Sequence, residues 1–158
     1  MRGQREIDRI PVPSATSEAG RLTVLSLSSL DEDHLSIHAI IGHSAWVHVP
    51  CYELASAAAL LRQYDISVIL CAEHLGHGGW TDVINHTGAL PNPPALIVMS
   101  RAADTRLWAE ALNLGAWDVL AKPLDRRELI RSVKSGWQHR FDQAQRRAAA
   151  VKPMKAAG

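Results

Sequence analysis

The stretch Asn113-Leu-Gly-Ala-Trp-Asp-Val-Leu-Ala-Lys-Pro-Leu124 passes from one kind of structure into another. It opens on the end of an amphipathic segment, Asp104–Leu114, and Gly115 stands where a helix needs a left-handed residue in order to stop. Trp117–Leu120 has the length and apolar content of a strand. Asp125, just beyond, can accept backbone N–H bonds at the start of another helix. The unit is therefore helix, strand, loop and helix.

The same alternation extends upstream. Leu22–Leu27, Trp46–Val49, Ile66–Cys71 and Ala95–Met99 read as four further strands, and Asp33–Gly42, Glu53–Gln63, Trp80–Thr87, Asp104–Leu114 and Asp125–His139 as helices. Ile66-Ser-Val-Ile-Leu-Cys71 is almost continuously apolar, as a parallel strand covered on both faces requires. Five strands alternating with five helices predict right-handed crossovers and a doubly wound α/β fold, a five-stranded parallel sheet between two helix layers. Chemistry in such sheets gathers at the carboxyl ends of the strands, beside the switch in strand order. The loops that matter are then Ser28–Asp33, Ala72–Gly79, Ser100–Ala103 and Ala121–Leu124.

The chain has 158 residues, 47% of them apolar, with 17 Lys plus Arg, 16 Asp plus Glu and two cysteines. That suits one ordinary domain and excludes collagen, disulfide scaffolds and disorder throughout. The formal charge of +1 conceals a polarity: residues 1–125 carry 8 basic and 14 acidic side chains, net −6, and residues 126–158 carry 9 and 2, net +7. No apolar run is long enough for a membrane span, and the first twenty residues lack the apolar core of a secretory signal. A cytoplasmic protein is expected. Residues 1–20 read as a flexible arm, 21–140 as the domain, and 141–158 as a basic tail, partly helical or disordered. Cys51 and Cys71 read as reduced, buried thiols.

With these elements in place, Gly115-Ala-Trp-Asp-Val-Leu-Ala-Lys-Pro-Leu124 resembles the end of a response-regulator receiver domain, whose pattern there is Gly-Ala-x-Asp-aromatic-Leu-x-Lys-Pro-Phe. Ala95-Leu-Ile-Val-Met-Ser100 is similar to the receiver's fourth strand with its terminal Ser/Thr, and Val68-Ile-Leu-Cys-Ala-Glu-His-Leu75 to its third strand and loop. The resemblance covers roughly Arg21–His139. It implies a flavodoxin-like fold in which an aspartate after strand three takes a phosphoryl group from a histidine kinase. Acids after strand one would hold magnesium, and the Ser/Thr and Lys would contact the phosphoryl oxygens. Ser100 and Lys122 match these last two positions; the bond equivalent to Lys122–Pro123 is cis in many receivers, and the sequence alone leaves its isomer open.

The other positions depart from the pattern. Counting back from Leu75 puts Ala72, a methyl group, where the aspartate belongs, and the acidic pair falls near Ser28 and Ser29. Hydroxyls hold a strongly hydrated magnesium ion poorly. Val119 stands where the family's mobile aromatic switches. We therefore expect a degenerate pseudo-receiver, not an enzyme and without cofactor, acting through protein–protein contact with a histidine kinase or another regulator, and open to homodimerisation. Strand alternation aims Glu73 away from the pocket. Asp31, Glu32 and Asp33 read as helix-capping acids, and Lys122 as pairing with Glu73, Asp31 or Asp118, or reaching water. One alternative is an active receiver with Glu73 as an atypical acceptor, which would need magnesium. Another is a small nucleic-acid-associated protein using the basic tail, although no DNA-reading motif is present.

Remaining motifs have ordinary readings. His34 and His38 stand four apart and His74 and His77 share a loop, but no His-Glu-x-x-His or cysteine partner accompanies them, so no metal site is expected. Gly76-His-Gly-Gly79 lacks a following Lys-Ser/Thr and reads as a flexible turn. Leu129, Val133 and Trp137 form a core stripe on the last helix. Trp108, Trp117, Arg127 and Arg131 are the candidate interface residues.

Overall fold

A computed structural model describes residues 21–151. Its strands are β1 (Thr23–Leu27), β2 (Val47–Cys51), β3 (Val68–Ala72), β4 (Ala95–Ser100) and β5 (Asp118–Ala121). The helices are α1 (Asp31–Ile41), α2 (Leu54–Gln63), α3 (Trp80–Thr87), α4 (Thr105–Leu114) and α5 (Arg126–Val151). Every strand pair is parallel, in the order β2-β1-β3-β4-β5. The order reverses between β1 and β3, which is where such a sheet opens a crevice at its carboxyl edge.

Alternation along the strands divides the core in two. Val24, Val68, Leu70, Ile97 and Met99 pack under Ile37 and Ile41 of α1 and Leu129 and Val133 of α5. Leu25, Leu27, Ile69, Cys71, Leu96 and Val98 pack against Ala57 of α2, Trp80 and Val83 of α3, and Leu107 and Ala111 of α4. Val119 lies in the second cluster, 8% exposed. Burial raises the Cys51 thiol above its usual range and pushes Cys71 up to about 12, so both are inert thiols.

The helix boundaries follow local chemistry. Asp104 and Asp125 accept the N–H groups of Leu107 and Glu128 at 2.9 and 3.0 Å, which are N-cap bonds. Gly115 stops α4 at φ 107°, and its N–H meets the carbonyls of Ala111 and Leu112. Two helix boundaries differ by more than one residue from the sequence reading. The first helix begins at Asp31 with Leu30 at its N-cap and no side-chain cap bond. The last runs past His139 to Val151, because Gln143–Ala150 is rich in Ala, Gln and Arg, good helix formers. Arg140 ties it down, donating to Asp65 Oδ1 at 2.7 Å and to the Asn92 carbonyl at 3.1 Å. The proposed arm, residues 1–20, and the end of the tail, from residue 152, lie outside the described residues.

Gly115→Ala should cost about 1–2 kcal/mol, the steric charge for an L side chain in the left-handed region. Thermal unfolding would then shift down by about 2–8 °C for a domain of this size.

Candidate functional site

The carboxyl edge of β1, β3, β4 and β5 brings together two polar clusters. The first is built on β1, α1 and the residue after β5. Lys122 Nζ donates to Asp33 Oδ2 at 2.7 Å, and Ser28 Oγ donates to the same oxygen at 2.6 Å. The side chains of Lys122 and Asp33 are only 12% and 5% exposed. Asp33 is thus not a capping acid, and Lys122 pairs with none of the acids considered for it from sequence. Helical spacing explains why: Asp33, Ile37 and Ile41 recur every four residues on the face that α1 buries. The consecutive acids obscured that stripe. Of the other two, Asp31 accepts from the Tyr52 hydroxyl at 2.7 Å, and Glu32 pairs with Arg101 at 2.7 Å across an open cleft of about 320 Å³ above Lys122.

The second cluster joins β3 to β4. Ser100 Oγ donates to Glu73 Oε2 and accepts the Ala102 N–H at 3.0 Å. Glu73 therefore points into the pocket, against the expectation from strand alternation. The register gives the reason. Ala72 lies opposite Met99, and the Glu73 N–H continues the ladder to the Met99 carbonyl at 2.9 Å, which sets Glu73 beside Ser100. The two side chains share one side of the sheet, as cross-strand neighbours do. Alternation counted along β3 alone does not include this pairing with β4.

The loop after β3 fixes Glu73 in place. The Trp80 N–H donates back to the Glu73 carbonyl at 3.3 Å, the Leu75 N–H to the Gly78 carbonyl at 3.0 Å, and the Gly79 N–H to Asp82 Oδ2 at 2.9 Å. Gly78 has φ 83°, and a Cβ on Gly79 would stand 2.7 Å from the Glu73 carbonyl oxygen. Gly76-His-Gly-Gly79 is a turn closed by these hydrogen bonds.

The remaining candidates are placed plainly. Ala72 ends β3, 3% exposed. Ser28 is fully buried, whereas Ser29 is exposed. The Lys122–Pro123 bond is cis. Trp108 is 49% exposed, and Arg127 and Arg131 are exposed on α5. Trp117 is half-buried, its indole N–H donating to Ser135 Oγ at 2.9 Å and its ring stacking on His139 at 4.6 Å.

Beneath the first cluster lies a buried relay that sequence reasoning missed. Ser26 Oγ is 2.7 Å from His34 Nδ1 and 2.7 Å from His48 Nε2, and His34 Nε2 is 2.9 Å from the Ser28 carbonyl. A carbonyl only accepts, so the network assigns the proton of His34 to Nε2. Ser26 then donates to His34 Nδ1 and accepts from His48 Nε2–H. Burial lowers the pKa of His34 below the usual imidazole range. For His48, burial, followed by the neighbouring His38 and His34, lowers it to about 3. The sequence signal was a polar Ser26 amid an apolar strand, two residues before Ser28.

Magnesium binding can be judged from the donor set. The ion wants several hard oxygens, carboxylates above all. Here the position that the resemblance assigns to the acceptor is the Ala72 methyl, the two assigned to the acidic pair are hydroxyls, and the carboxylates of Asp33 and Glu73 are engaged, the first by Lys122 and Ser28 and the second by Ser100. These residues do not fit the ion.

Neither a family model nor a curated protein sequence matches this chain. Solved structures do. The signal receiver domain of an HD domain-containing protein from Pseudomonas fluorescens superposes with a TM-score of 0.73 at 19% identity, covering 83% of this chain and 97% of that one. The fold is that of a receiver domain. The receiver domain of a Francisella response regulator matches with a TM-score of 0.67 at 18% identity, over 75% of this chain and 98% of that one. A two-component response regulator from Clostridium difficile gives 0.66 at 18%, over 75% and 97%. The receiver fold expected from Gly115–Leu124 is thus present. Among the described residues, no helix is long and apolar enough to cross a membrane.

Two measurements test this chemistry. Lys122→Ala and Asp33→Ala should each cost about 3–5 kcal/mol, because each strands a buried charge, and the double variant should cost clearly less than their sum. His48 should make stability depend on pH. Its folded pKa lies below the unfolded value near 6.5, so below that pH the unfolded chain takes up a proton that the folded one refuses. Stability then falls as pH drops from about 6.5 toward 3, by up to about 1.4 kcal/mol per pH unit. Urea unfolding at pH 7.5 and 5.5 should show His48→Gln losing less stability than the parent protein.

Proposed function

We propose that this chain is a receiver-fold signalling module of a two-component pathway that works by protein–protein contact, without taking a phosphoryl group and without catalysing a reaction of its own. The observation that carries this reading is internal pairing at the pocket. Lys122 is bound to Asp33, and Ser100 to Glu73, while the acceptor position holds the Ala72 methyl. The two groups that the resemblance assigns to phosphoryl oxygens already have carboxylate partners.

Glu73 gives the reading a direction. Its carboxylate supplies Ser100 with an anionic acceptor of the kind a phosphorylated aspartate would bring, so the Ser100 end of the pocket is permanently satisfied. Val119, packed under α4, adds no ring that could swing in response. The module is held in a single state, and its partner is another signalling protein, a histidine kinase or a second regulator, that reads a fixed surface. A second reading has one observation behind it: because Glu73 faces Ser100, it could itself be the acceptor.

Incubation with acetyl phosphate and magnesium, followed by intact-mass measurement, separates the two. The proposal expects no phosphoryl adduct on the parent protein or on Glu73→Gln. An adduct on the parent that disappears in Glu73→Gln would establish the second reading in its place.

A further inference from the structure

The strongest unexplained surface lies away from this pocket, along α5. Arg126, Arg127, Arg131 and Lys134 project from one side of that helix, and Arg21, just before β1, faces them across an open groove of about 950 Å³. Among the described residues, no acidic one lines it. Among the described residues, none of the five cations has a carboxylate within ion-pair distance, and Arg21 donates only to the Ala45 carbonyl, at 3.2 Å. This concentration contrasts with positions 22 to 125, where 11 acidic residues outnumber 4 basic ones. Like charges gathered without counter-ions repel one another, and an incoming anion relieves that repulsion.

The floor of the groove is apolar. Trp46 and Trp137, together with Leu22, pack on the core cluster beneath α1 and α5, and both indoles keep part of their surface free. Unpaired guanidinium groups around partly buried tryptophans are the composition of an interface hot spot. Each element restricts the occupant. Guanidinium forks suit carboxylates, which they bind through two parallel hydrogen bonds. The indoles are seated against the core as a floor rather than standing free as platforms for successive bases. The surface also runs along a helix and past the starts of two strands, an elongated strip that suits a chain segment.

We propose that the α5 groove docks an acidic amphipathic segment of a partner protein, with Asp or Glu side chains on Arg127, Arg131 and Lys134 and apolar anchors against Trp46 and Trp137. This rests on the reading of the chain as a protein-contact module and names the chemistry of its partner.

The probe is a labelled helical peptide with Leu and Phe at positions i, i+3, i+4 and i+7 and Glu elsewhere, set against its counterpart with Lys for Glu. Anisotropy titrations with the full chain should show binding of the Glu peptide that weakens at least about tenfold when salt rises from about 50 to 300 mM. The Lys peptide should not bind. The exposed triple variant Arg127→Glu, Arg131→Glu, Lys134→Glu should lose binding while keeping the parent's circular dichroism. Trp46→Ala should weaken binding about tenfold without altering its salt dependence. No binding of the Glu peptide, equal binding of both peptides, or binding that survives charge reversal would overturn the proposal. So would tighter binding of a thymidine oligonucleotide, or of phosphatidylglycerol vesicles, through the same three cations. Phosphorylation at Glu73 would overturn the preceding reading and leave these titrations unchanged, so the two failures are distinguishable.

Discussion

The parallel register of β1, β3, β4 and β5 decides which side chains can meet at the carboxyl edge. Once Ala72 is opposite Met99 and Ser100 opposite Ala121, Glu73 stands beside Ser100, and Lys122 is delivered one residue beyond β5. The crevice at the β1–β3 switch then admits Asp33 from the first turn of α1, and Asp33 meets Lys122 across a separation of 89 residues. A shift of one position in β3 would move Glu73 to the other face and leave Ser100 without its anion. The two carboxylate contacts are consequences of sheet registration as much as of residue identity.

This registration bears on what the site can do. A buried ion pair gains little over apolar packing, but losing one partner is costly. Asp33 and Lys122 therefore constrain each other, and neither is available for chemistry without breaking the contact. Glu73 and Ser100 repeat the arrangement on the neighbouring strands, where the turn through Gly78 and Gly79 holds the glutamate backbone. The scaffold is a receiver's, yet its polar edge is spent on internal contacts.

The fold was readable because its signals are periodic and local: apolar strands at regular spacing, Asp104 and Asp125 at helix starts, Gly115 at a stop, and the Lys-Pro pattern after β5. The positions of Ala72, Ser100 and Lys122 followed from the same motifs. Partnerships were less readable, because they depend on register and on which helix face is buried. Asp33 sat in a run of three acids that satisfies the rule for helix N-termini, although its spacing to Ile37 and Ile41 already placed it inward. The direction of Glu73 depends on the pairing of β3 with β4, which alternation along one strand does not contain. The end of α5 was set too early because a charged, alanine-rich stretch shows no apolar periodicity, although it propagates a helix well.

The buried relay from β2 to β1 has a polarity of its own. His48 donates to Ser26, Ser26 to His34, and His34 to the carbonyl of Ser28, so every donor points the same way. That direction is imposed at the Ser28 end by an atom with no hydrogen to give. To reverse any one link, the whole series would have to turn over and set a lone pair against a lone pair at the final oxygen. One backbone carbonyl just past β1 thereby dictates the tautomer of an imidazole on the edge strand, and the sheet interior carries a fixed electrical orientation that ends in the short loop leading into α1.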